Sequence, residues 1–124
     1  MSLHESDKID VAKDLLSRYG DRIILPVDFA LISTFADPKD TGELVYSEGI
    51  ASDQMTVDIG PESIKMFSDY IANAKTIIWN GPVGVYEWEA TRKGSEALAH
   101  AIISNPHVFS LSGGGDCLTL INML

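Results

Sequence analysis

Two glycine-rich clusters hold the groups in this sequence best suited to chemistry: Asn80-Gly81-Pro82-Val83-Gly84-Val85-Tyr86-Glu87 and Ser112-Gly113-Gly114-Gly115-Asp116-Cys117. Glycines lack Cβ atoms, so their backbone amides can close on an anion, and a following helix N-terminus adds partial positive charge; both clusters therefore suit phosphate. Asp116 beside such a turn suits a hard cation that bridges phosphate oxygens. Glu87 offers a carboxylate to a sugar hydroxyl. Each residue also has a plainer role. A triple glycine after a strand can be only a tight strand-to-helix turn, Asp116 can be an N-cap, and Glu87 can be solvated. Cys117, at a predicted helix start, is either an activated thiol or a small residue filling a turn.

Other residues exclude rather than suggest. His4, His100 and His107 are scattered through tail, helix and turn and form no metal triad. Trp79 and Trp88 read as core or rim packing. The dinucleotide fingerprint fails, because the third glycine counted from Gly113 falls on Leu118.

Elements must position these clusters, and the sequence supplies them in alternation. Ile77, Ile78 and Trp79 form an apolar run that reads as a buried strand over residues 76–79, ended by Asn80-Gly81-Pro82. Residues 108–111 read as a second such strand feeding the triple glycine, with a last helical pattern over 118–124. Between them, residues 90–104 read as helical, with Gly94 a kink or restart and Ser95 a cap. Upstream, Pro61 at a first helical position opens a helix over 61–73, whose stripe is Ile64, Phe67, Ile71 and Ala74. A helix over 7–19 is stopped by Gly20. Strands are expected at 22–25 and 27–34, the latter carrying Asp28 as a structural acid. Residues 36–56 read as loop or lid, with a short strand at Leu44-Val45-Tyr46. Helix–strand repetition with crossover-length helices predicts an α/β fold with a mainly parallel sheet and helices on its faces. Both glycine clusters then emerge at the carboxyl edge, where open α/β sheets bind ligands.

Composition sets bounds. With 124 residues, 45% of them hydrophobic, the chain has material for one domain core. A formal charge of −9 argues against a nucleic-acid grip, so an anionic partner must be held by backbone amides, a helix N-terminus or a metal. The single cysteine excludes an internal disulfide and fits a reducing cytoplasm. No apolar run approaches 18 residues, and neither a signal peptide nor a lipidation motif is visible, which predicts a protein away from the membrane.

Trp79-Asn80-Gly81-Pro82-Val83-Gly84-Val85-Tyr86-Glu87 resembles the WNGPxGVxE loop of phosphoglycerate kinases. Leu25-Pro26-Val27-Asp28, Asp58-Ile59-Gly60-Pro61, Lys93-Gly94-Ser95 and Gly113-Gly114-Gly115-Asp116 agree in order and spacing, over about residues 8–124. The resemblance implies a Rossmann-like three-layer α/β/α fold, here truncated, with residues 1–124 as part of the family's C-terminal, nucleotide-binding domain. It implies reversible phosphoryl transfer between 1,3-bisphosphoglycerate and ADP, giving 3-phosphoglycerate and ATP in glycolysis, with Mg²⁺ as cofactor. Carried over by residue, Glu87 contacts the ribose, and the loop with Asn80, Pro82, Gly84 and Val85 lines the nucleotide cleft. Gly113, Gly114 and Gly115 approach the phosphates, Asp116 holds Mg²⁺, and Gly60 and Pro61 help form the adenine side.

The departures are specific. Cys117 stands where the family has Ser or Thr, and it offers only a weak S–H donor. The family's phosphoglycerate-binding domain, its Gly-Gly-Ala-Lys segment and its late Ser-Thr-Gly-Gly-Gly loop have no counterpart in this sequence. Because phosphoryl transfer depends on positioning and charge neutralisation, the chain alone is expected not to turn over. A non-catalytic nucleotide binder or self-associating scaffold is the alternative, with exposed sheet edges favouring homo-oligomers.

Overall fold

A computed structural model describes residues 5–124, the side chain of Cys117 excepted. After a 3₁₀ turn, α1 (Ile9–Tyr19) leads through a second such turn to β1 (Phe29–Ile32). The short α2 (Pro38–Thr41), β2 (Val45–Ser47) and β3 (Met55–Ile59) follow. Then come α3 (Pro61–Asn73), β4 (Thr76–Trp79), α4 (Lys93–Ser104), β5 (Phe109–Ser112) and α5 (Gly115–Met123).

The α/β class stands, but the strands form two sheets. In one, β1 lies between β2 and β3, antiparallel to both, with an irregularity at Ala30/Leu31. Parallel pairing is confined to β4 and β5, in register from Thr76 opposite Phe109 to Trp79 opposite Ser112. Three expectations from the sequence are corrected. The run at residues 22–25 is no strand: Arg22 closes a 3₁₀ turn, Pro26 has no N–H to give, and Leu25 stays 55% exposed. Residues 36–56 hold α2, β2 and the start of β3, so they are built into the sheet rather than forming a free lid. Gly20 keeps helical backbone and passes into a 3₁₀ turn instead of stopping the chain in a left-handed cap. The helix over 61–73 and the strand over 76–79 match their expected bounds.

The core sits under the antiparallel sheet. Ala30, Ile32 and Val57 cluster there, and Leu44, Met55, Val85 and Trp88 pack against them. Phe35 covers Trp88, ring centroids 5.1 Å apart. Val85 and Trp88 belong to the first glycine cluster and its continuation, so the loop is anchored in the core from its own sequence. α3 packs on α4. The buried Asn105 amide reaches back to the carbonyls of Ile71 and Ala74, both at 2.9 Å, which ends α3 and fixes where β5 begins beside β4.

Candidate functional site

Parallel register brings the two glycine clusters together at the carboxyl ends of β4 and β5. The Gly113 amide donates to Trp79 O at 3.0 Å, extending the ladder into both loops. Gly114 has φ +87°, a left-handed value, and a Cβ there would lie 3.5 Å from Asn80 O. The Tyr86 hydroxyl donates to Asp116 Oδ1 at 3.1 Å, joining the far end of the first loop to the second. Burial, the hydrogen bond to Asp116 and the charges of Asp116 and Glu87 push the Tyr86 phenol up, against a smaller opposing effect of Thr119, so it remains a donor.

The first loop is held by residues that the sequence reading did not single out as its supports. The Val85 amide donates to Val57 O at 2.7 Å. The buried Ser95 hydroxyl serves Val83 twice, accepting from its N–H at 2.9 Å and donating to its carbonyl at 2.6 Å. Ser95 therefore supports the loop rather than capping α4, which has no side-chain cap. Thr91 donates to Val85 O at 2.7 Å, and the Arg92 guanidinium donates to Tyr86 O at 2.7 Å. Asp58 ties this support to the sheet: its carboxylate accepts from the Gly94 amide at 2.9 Å and the Ile59 amide at 2.8 Å. Burial pushes the Asp58 carboxyl up to about 6, against those two amides and the charge of Lys93. Gly84 is required here. Its φ is +72°, and a Cβ would lie 2.6 Å from Val57 O and 2.8 Å from Asp58 Oδ1. A Ser or Thr beside a turn and an acid in a strand are weak signals alone, and only the fold shows that they converge.

Asn80 and Glu87 are exposed, Pro82 and Val85 half-buried, and Gly113, Gly114 and Gly115 exposed. Gly114 is the N-cap of α5 and offers no side chain, so α5 begins without a side-chain cap. Asp116 is the second helical residue rather than the N-cap. The Cys117 side chain lies outside the described residues. Gly60 and Pro61 open α3, Gly60 as its N-cap and Pro61 as its first residue. The Gly60 amide donates to Asp28 O at 2.9 Å, and a Cβ on Gly60 would collide with the Asp28 carboxylate. That carboxylate caps α3 from the residue before β1, accepting from the Ser63 hydroxyl at 2.6 Å and the amides of Glu62 and Ser63 at 3.0 and 2.7 Å. Burial works against its charge, but these donors prevail and hold Asp28 below the usual carboxylate range. Asp28 is the structural acid that the sequence suggested.

The two helix starts thus differ. α3 has its amides occupied by Asp28, whereas α5 opens with glycines, without a side-chain cap, beside Asp116. Among the described residues no three His, Cys, Asp or Glu side chains gather as a metal cluster. A cation at Asp116 would therefore share its coordination with ligand oxygens. The donor set fits that role: one hard carboxylate in the first turn of a helix without a side-chain cap, with Oδ1 accepting from Tyr86. A cavity of about 220 Å³ adjoins the first loop, lined by Pro26, Phe29, Val57, Asp58, Ile59 and Gly84 among others. A larger one, about 340 Å³, lies among β5, α4 and α5 and is almost wholly apolar. No helix among the described residues is long and apolar enough to cross a membrane.

A family model described as phosphoglycerate kinase matches residues 1–124. The phosphoglycerate kinase of Corynebacterium aurimucosum is 42% identical over 126 aligned residues, covering 99% of this chain and 31% of that relative. That of Staphylococcus aureus is 44% identical over 117, covering 94% of this chain and 29% of the relative. The solved phosphoglycerate kinase from Coxiella burnetii matches with a TM-score of 0.85 at 29% identity, over 98% of this chain and 32% of that one. The one from Pyrococcus horikoshii gives 0.79 at 30% identity, over 94% and 28%. The chain spans under a third of the length of the curated relatives described. With a matching family model over its whole length and relatives that agree, the chain belongs to the phosphoglycerate kinase family.

Proposed function

We propose that this chain is part of the nucleotide-binding domain of a phosphoglycerate kinase and that its two glycine loops hold ADP or ATP with Mg²⁺. The observation that carries this reading is the meeting of the loops at the carboxyl ends of adjacent parallel strands, joined by the 3.1 Å bond from Tyr86 to Asp116. In it, the amides at the start of α5 face the phosphates and Asp116 takes the cation. Glu87 receives the ribose, and Asn80, Pro82, Gly84 and Val85 line the cleft. The base occupies the cavity beside Val57 and Gly84, with Gly60 and Pro61 adjoining it through Ile59. Bound Mg²⁺ supplies neutralisation of phosphate charge. For the whole protein we propose reversible phosphoryl transfer between 1,3-bisphosphoglycerate and ADP, giving 3-phosphoglycerate and ATP in glycolysis, in the cytoplasm. The phosphoglycerate site is assigned to parts outside this sequence, so the chain alone is expected to bind nucleotide without turnover.

Calorimetric titration with MgADP tests this reading. Saturable heat that Asp116→Ala abolishes is the expected result. A folded chain that gives no heat up to millimolar nucleotide would overturn it.

A second reading, a non-catalytic scaffold that associates with itself, is favoured by one specific observation. The small parallel sheet is largely uncovered: Ile78 is 73% exposed and Phe109 64%.

A further inference from the structure

We propose that Tyr86 is a positioning residue for the cation: its hydroxyl, donating to Asp116 Oδ1, fixes the carboxylate at the start of α5 and leaves Oδ2 for the metal. This inference rests on the nucleotide reading above, which uses the Tyr86–Asp116 bond only as the join between the two loops, and gives that bond a role at the cation.

The geometry supports it from both ends of the residue. The Tyr86 carbonyl is held by Arg92 Nε at 2.7 Å, and Arg92 in turn lies 4.0 Å from Glu96 on the next turn of α4. The Tyr86 backbone is thus tied to the N-cap of α4, and its hydroxyl meets Asp116 at the start of α5. Among the described residues Asp116 has no other side-chain hydrogen bond and no ion pair. Asp116 is exposed, and an exposed carboxylate on a helix's first turn has free rotamers unless something selects one. Tyr86 is what selects it. A hydrogen bond to one oxygen of a metal-binding carboxylate orients the other, and such outer partners change metal affinity by about 10–100-fold when removed. Thr119, one turn further along α5, donates back to Gly115 O at 2.9 Å. The bond also couples the loops, so a ligand that orders Asp116 also orders the loop carrying Gly84 and Glu87.

The test is Tyr86→Phe, which removes one oxygen and keeps the ring. Calorimetry on the full chain compares MgADP with ADP in EDTA. The expected result is MgADP affinity lowered about tenfold, with metal-free ADP unchanged within about twofold. Equal weakening of both would overturn the proposal, since it would mean only a distorted loop; no change in either would also overturn it. A ligand-free measurement separates this inference from the nucleotide reading. Amide resonances of residues 115–119 should shift in Tyr86→Phe without nucleotide. Unshifted resonances would overturn the contact itself. Shifted resonances in a chain that binds no nucleotide would overturn the cation role together with the nucleotide reading.

Discussion

Asp58 and Gly84 show how single residues hold the first loop, and each makes a prediction. At Gly84 an alanine would need a left-handed backbone and would press its Cβ against Val57 O and the Asp58 carboxylate. Gly84→Ala should destabilise the chain by more than about 1 kcal/mol, read as a lower urea midpoint. An unchanged midpoint would mean that the loop is free to shift. Asp58 predicts a pH dependence. Its carboxyl sits at about 6 when folded, above an ordinary value of 3.8, so the folded state holds this proton more tightly than the unfolded chain. The contribution is fully present below about pH 4 and is lost as pH rises through about 6. Asp28 has the opposite sign: held low when folded, it adds stability above its unfolded value and loses it as acid protonates it. Between pH 4.5 and 7, urea melts of Asp58→Asn should therefore lack a downward slope that the unmodified chain shows. Parallel slopes in the two proteins would refute that assignment.

At the scale of elements, the start of α4 works as a bracket for the loop before it. Ser95→Ala would leave both polar groups of Val83 without their partner and should cost about 1–3 kcal/mol. The Val83 amide should also exchange faster with solvent while amides of α3 keep their protection. Uniform loss of protection would instead show that Ser95 supports the whole fold. The bracket marks the limit of what the sequence could show. Glycine, proline and apolar runs are local signals, so α3, β4 and the two loops were legible with nearly their true bounds, and Gly84 was legible as a point of close backbone approach. β3 was obscured because Asp58 interrupts its apolar pattern and because Asp58-Ile59-Gly60-Pro61 also reads as a helix opening. Strand direction was not local information at all. The alternation of helices and strands suggested parallel neighbours, yet β1 takes β2 and β3 as antiparallel partners. The contacts of Thr91, Arg92 and Ser95 with the loop depend on the turn that brings α4 back under it, and no spacing rule encodes that turn. The Tyr86–Asp116 bond spans 30 positions and follows only from the parallel register of β4 and β5.

For the whole molecule, charge and exposed apolar surface oppose one another. A formal charge of −9 keeps copies apart. Against it stand Ile78, Phe109 and Leu111, exposed at 73%, 64% and 53%, on two strands that pair only with each other among the described residues. Unpaired strand edges invite pairing with another chain. α1 adds Ile9, Val11, Leu15 and Leu16 on a helix that contacts chiefly the turns at its own ends. Charge repulsion is screened by salt, with a Debye length falling from about 30 Å at 0.01 M to about 8 Å at 0.15 M, whereas apolar association is not weakened by it. The chain should thus shift from monomer toward dimer or larger species as salt rises, seen as increasing mass by light scattering at fixed protein concentration. Ile78→Lys places a charge on the exposed face of β4 and should restore the monomer at physiological salt without changing MgADP binding, because the side chain projects from the strand rather than from either loop. A monomer at every salt and concentration would remove the scaffold reading. Association that Ile78→Lys leaves intact would move the contact from the small sheet to α1.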